Sequence, residues 1–125
     1  MIKYSDYTSS MLANKLAWNL SYRDISERTS TTRQNIHQTL TMKAMGSLET
    51  YKELELIFNP RYTFEEYRRQ FKGLLLGIPN KDIAKAVGMK SVLGLENILE
   101  CRHVGQYDNY MALERYVEEL MNNGQ

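Results

Sequence analysis

Residues 32–40 gather Arg33, Gln34, Asn35, His37 and Gln38 around two apolar residues, Ile36 and Leu40, four positions apart. That spacing stacks Ile36 and Leu40 on one side of a helix and turns Arg33, Gln34, His37 and Gln38 outward. Arginine offers paired donors to the two acceptors of guanine, and glutamine or asparagine pairs with adenine through one donor and one acceptor. Thr32 is a good N-cap, so these side chains open a helix from its first turn. Such a face has the chemistry to read base edges in a duplex. His37 fits that task and, equally, a solvated helix surface; Asn35 fits base reading or support of the first turn.

Catalysis is poorly provided for. There are two histidines, His37 and His103, no Gly-rich phosphate loop, and the acidic pairs Glu65-Glu66 and Glu118-Glu119 are neighbours that diverge around a helix. The single Cys101 can form no internal disulfide and has no Cys/His partners at metal-ligand spacing. No catalytic residue, metal ligand or cofactor is therefore expected, and the chain reads as a non-enzyme. Sixteen Lys plus Arg against fifteen Asp plus Glu leave a net charge of +1, so no overall basic field exists and any DNA binding depends on local placement. No apolar stretch follows a basic start, and the run Leu74-Leu75-Leu76-Gly77-Ile78 is too short to span a bilayer, so a cytoplasmic protein away from membranes is expected.

The elements that must carry these side chains read as helices throughout. Leu12, Leu16 and Leu20 recur at helical spacing, and Ser21 with Asp24 forms a capping pattern for a short second helix ending near Arg28. The third helix starts after Thr32. Ser47 caps a fourth, with Leu48, Tyr51, Leu54 and Phe58 on its inner face, and Asn59-Pro60 stops it. A second series follows: a helix over about 64–76, a start at Pro79-Asn80, a short helix to Val87, a Gly88-Met89 turn, a helix from Ser91, and a last one over about 107–121. No run alternates with period two. The expected fold is all-α, two tandem helix-turn-helix units of about four helices each, over residues 1–59 and 60–125.

The two series are copies. At an offset of 58, Tyr4 meets Tyr62, Leu16 meets Leu74, Leu20 meets Ile78, Asp24 meets Asp82 and Ile25 meets Ile83; at 59, Ile36 meets Leu95, Leu40 meets Leu99, Tyr51 meets Tyr110 and Leu54-Glu55 meets Leu113-Glu114.

Residues 20–40 resemble the lambdoid phage repressor and Cro family of helix-turn-helix proteins, whose recognition helices also begin with Thr and Gln. The resemblance runs through Thr32-Arg33-Gln34-Asn35-Ile36-His37-Gln38 and continues weakly into Gly46-Ser47-Leu48-Glu49-Thr50. It implies base contacts from Arg33, Gln34 and Gln38, and phosphate contacts near Tyr22 and the Thr32 cap, in a repressor of a phage or other mobile element acting on double-stranded DNA. The chain departs from the family in the turn, with Ser30 where the family has Gly and Thr29 and Thr31 at apolar places.

The second copy keeps Gly88 in its turn but puts Val92 and Leu93 where the first has Arg33 and Gln34. Exposed apolar residues there point to a protein partner. The expected role is homodimerisation through Val92, Leu93 and the stripe Tyr110, Leu113, Val117 and Leu120, placing the first copies on two half-sites. The alternative is a single chain reading adjacent DNA with both copies, Lys90, Ser91 and Asn97 supplying the second contacts. A different class of function is a protein-interaction module, an inhibitor or antirepressor on the same scaffold. Arg68-Arg69 with Lys72 reads as a phosphate stripe or a solvated face.

Overall fold

The computed structural model describes residues 1–123, and among them are eight helices and no strand. They are α1 (Tyr4–Ala17), α2 (Tyr22–Glu27), α3 (Arg33–Leu40), α4 (Leu48–Phe58), α5 (Phe64–Leu74), α6 (Asn80–Ala86), α7 (Val92–Leu99) and α8 (Tyr107–Asn123). The chain divides into two compact units, Ile2–Phe64 and Glu65–Gln125. The boundary expected after residue 59 thus moves five residues on, because the Phe64 ring stacks on Tyr51, 3.9 Å between centroids, and closes the first core. No helix among the described residues is long and apolar enough to cross a membrane.

Hydroxyl side chains start the helices where the sequence places them. Ser21 accepts the Asp24 N–H at 3.0 Å while its own N–H donates to the Asp24 carboxylate at 2.9 Å, a reciprocal box that opens α2. Thr32 accepts from the Asn35 N–H, Ser47 from Thr50 and Ser91 from Gly94, each binding one of the donors that a helix start leaves unpaired. Left-handed residues end the helices at matching places: Met42 (φ 62°) after α3 and Cys101 (φ 59°) after α7 stand 59 positions apart.

Each unit folds around aromatic residues that carry polar tips. In the first, Tyr7 donates to the Glu55 carboxylate at 2.6 Å, and the Phe64 N–H donates to the same oxygen at 2.7 Å. Tyr4 and Tyr51 share a hydroxyl–hydroxyl bond of 2.8 Å. Burial, then the Glu55 carboxylate beside it, holds the Tyr7 phenol far above its ordinary range, so it stays a neutral donor. In the second unit Tyr67 donates to Glu114 at 2.5 Å, the same Tyr–Glu bond between first and fourth helices. Its fully buried Arg68 donates to the His103 carbonyl and to the Tyr110 hydroxyl, which itself donates to the Val104 carbonyl. Arg68 is therefore a strut for the α7–α8 loop, whereas its neighbours Arg69 and Lys72 form exposed ion pairs with Glu65 and Glu100.

Two expectations change at this level. The inward face of α1 is Tyr4, Tyr7, Thr8 and Met11, not Leu12, Leu16 and Leu20; Leu16 is 78% exposed. Correspondingly the first helices match at an offset of 60, not 58: Tyr4 with Phe64, Tyr7 with Tyr67, Thr8 with Arg68 and Met11 with Phe71, all buried. From the third helix on the offset is 59, with α3 and α7 (each eight residues) in register.

Candidate nucleic-acid interface

α2 and α3 pack against each other, joined by residues 28–32, and α1 also packs on α3. Ile36, Thr39 and Leu40 are buried, so the opposite face of α3 is committed to the outside. Thr32, Arg33, Gln34 and Asn35 are exposed there, with His37 and Gln38 half-buried along the same edge. The Asn35 backbone serves the first turn, its N–H bonding Thr32 and its carbonyl accepting the Thr39 hydroxyl at 2.8 Å, while its side chain remains at the surface.

Tyr22, at the start of α2, meets this face. Its ring stands edge-on to His37, 5.1 Å between centroids, and the Lys15 ammonium lies over the ring, 4.2 Å from its centroid. A cation over an aromatic ring is held electrostatically, so Lys15 from α1 is brought beside the base-reading candidates. Partial loss of water raises the Tyr22 pKa further above its ordinary value, and the neutral hydroxyl remains a hydrogen-bond donor.

Charge is arranged locally, as the near-neutral composition requires. Residues 28–48 carry Arg28, Arg33 and Lys43 and no Asp or Glu. The matching window 87–107 holds Lys90 and Arg102 against Glu96 and Glu100. Along the chain the first window is thus three positive charges without an acid, though the Glu53 carboxylate of α4 reaches its turn, and the second balances at two against two.

Thr29, Ser30 and Thr31 form the turn without a glycine. None of the three has a positive φ. The Ser30 N–H and hydroxyl both donate to the Glu53 carboxylate of α4, at 2.7 and 2.6 Å, and Thr31 shares a 3.1 Å hydroxyl bond with Thr50. Thr29 accepts the Thr31 N–H. Polar side chains thus anchor the turn to α4 by hydrogen bonds. Glu53 and Lys15 were not legible as site residues in the sequence: each lies on a separate helix, and nothing about its neighbours marks it.

In the second unit α6 and α7 pack together, and Gly88 (φ 76°) takes the left-handed turn position. Lys90 and Ser91 are exposed, with Asn97 half-buried and its side-chain oxygen accepting from Arg102 at 3.0 Å. Val92 and Leu93 are 37% and 62% exposed. Tyr110, Leu113 and Val117, expected on a dimer interface, are instead core residues of their own unit, since the stripe on α8 is the one that faces inward. No group of three or more His, Cys, Asp or Glu among the described residues is placed to hold a metal ion.

No family model, curated protein or solved structure matches this chain.

Proposed function

We propose that the chain is a sequence-specific DNA-binding transcriptional regulator, in which α2, the 28–32 turn and α3 act as a helix-turn-helix. The observation that carries this reading is the outer face of α3: exposed Arg33, Gln34 and Asn35 behind a Thr32 cap, inside a stretch of 21 residues (28–48) free of acids. Arg33 and Gln34 enter the major groove to bond base edges, with Gln38 and His37 one turn on. Tyr22, Thr32 and Lys15 contact phosphates at its edge and set the register. The likeness of residues 20–40 to phage repressors supports a repressor carried by a phage or other mobile element.

One chain supplies both units. The companion reading, a homodimer joined through the second unit, needs roughly 600 Å² or more from each partner. With Tyr110, Leu113 and Val117 buried, Val92 and Leu93 are what remains of that surface.

Selection from a random duplex pool, followed by titration at fixed salt, tests the proposal. Arg33→Ala and Gln34→Ala should each weaken the selected site by about 1–3 kcal/mol and leave helix content unchanged. Affinity should fall steeply with salt, as phosphate contacts release counterions. Unchanged affinity in both variants refutes the assignment of α3, and a chain that retains no duplex at low salt is a protein-interaction module instead.

A further inference from the structure

We infer that the second unit also addresses duplex DNA, and that it reads thymine methyl groups through Val92 and Leu93. The inference rests on the proposed function and names what the second unit recognises. Ser91 caps α7 as Thr32 caps α3, and both helices run eight residues at an offset of 59. Val92 and Leu93 therefore occupy the places of Arg33 and Gln34, at the first turn of the corresponding helix, and both are exposed. A buried side chain would explain apolar character there; these two are not buried.

Two exposed apolar residues are too few for a stable protein interface, but they match a smaller apolar target. In the major groove the 5-methyl of thymine is the apolar feature that distinguishes one base, and aliphatic side chains contact it. Beside the pair one cation, Lys90, is available to a phosphate, within a window (87–107) that balances two positive charges against two negative. An open groove of about 340 Å³ borders the start of α7, and its lining includes Lys90, Ser91, Asn97, His103, Gln106 and Asn109 but no acid. Gly88 lies in the same lining with open space at its Cβ position, so a phosphate oxygen can approach the turn that carries Lys90. Glu96, at the place of His37, opposes phosphate, which makes this unit the weaker and more apolar of the two readers.

The test uses the full chain and its selected duplex, with thymines replaced by uracil one at a time. Loss of a buried methyl should weaken binding about fourfold at one or two thymines. The double variant Val92→Ala with Leu93→Ala, on two exposed side chains outside the core, should bind the thymine and uracil duplexes alike. Arg33→Ala should bind more weakly yet keep the uracil effect. Lys90→Ala should lower the salt slope by about one without altering base preference. Equal binding of thymine and uracil duplexes by the unaltered protein overturns the inference, as does a uracil effect that survives the double variant. A dimer that Leu93→Ala dissociates in sedimentation also overturns it. If Arg33→Ala and Gln34→Ala behave as stated above while uracil has no effect, the proposed function stands and this inference alone fails.

Discussion

Glu53→Ala releases the turn that aims α3. Its carboxylate receives two bonds from Ser30, 2.7 Å from the N–H and 2.6 Å from the hydroxyl. A hydrogen bond to a charged group contributes roughly 1.5–3 kcal/mol when shielded from water. Ser30 is exposed and Glu53 half-buried, which draws the pair toward the range of exposed ionic contacts, roughly 0.2–1 kcal/mol each. Together they amount to about 1–2 kcal/mol. Ser30→Ala removes the hydroxyl and keeps the N–H, so it should cost about half as much. Urea unfolding of the parent, the two single variants and the double variant forms a cycle, and the coupling should be about 0.5–1 kcal/mol because both substitutions delete the same bond. In the Glu53→Ala background Ser30→Ala should then be nearly neutral. On the proposed function, DNA affinity of Glu53→Ala should drop to a similar extent on selected and mixed sequences, since the whole of α3 is loosened. Additive single effects, with no coupling, would show that Glu53 does not hold the turn.

Two further perturbations follow from the same bonds and turns. Asp24 is held below its ordinary value of 3.8, chiefly by the Ser21 N–H and then by the Ser21 hydroxyl. Its contribution to the start of α2 is therefore present above that value and lost as pH falls through the lower folded one. Asp24→Asn should destabilise the protein near neutrality, and its unfolding curve should converge on the parent's in acid; a gap that persists unchanged in acid refutes the capping role. Gly88→Ala and Gly105→Ala both force a side chain into the left-handed region, at φ 76° and 80°. At Gly88 the added Cβ meets nothing within 4 Å, so thermal unfolding should register the conformational cost of about 1–2 kcal/mol alone. At Gly105 it lands 3.0 Å from Ile98 Cδ1, and overpacking raises the loss to about 2–4 kcal/mol. Equal losses at the two positions refute the close packing of Ile98 on that loop.

The all-helical character, the starts of the capped helices and the exposed face of α3 were all legible in the sequence. They depend on local physics: a hydroxyl three residues before an N–H, or apolar residues four apart, act within one or two turns of chain. Ser21, Thr32 and Ser47 each occupy the expected cap, and Ser91, expected only as the start of its helix, caps α7. The shared spacing of buried residues, such as Ile25 with Ile83 and Ile36 with Leu95, was legible for the same reason. It was misread in α1, where leucines at helical spacing drew attention from Tyr4, Tyr7 and Met11, because which stripe of an amphipathic helix is buried depends on what packs against it. Tyr7 can bury its ring only because Glu55, 48 positions away, accepts its hydroxyl bond. The same kind of distant pairing turns Arg68 from a surface cation into an internal strut, takes Tyr110, Leu113 and Val117 out of any interface, and brings Glu53 to Ser30 and Lys15 to Tyr22. Residue types and spacing determined which helices form and which side chains α3 and α7 display. Tertiary structure alone decided which faces were buried and which charges were engaged, because burial and pairing are properties of neighbours in space.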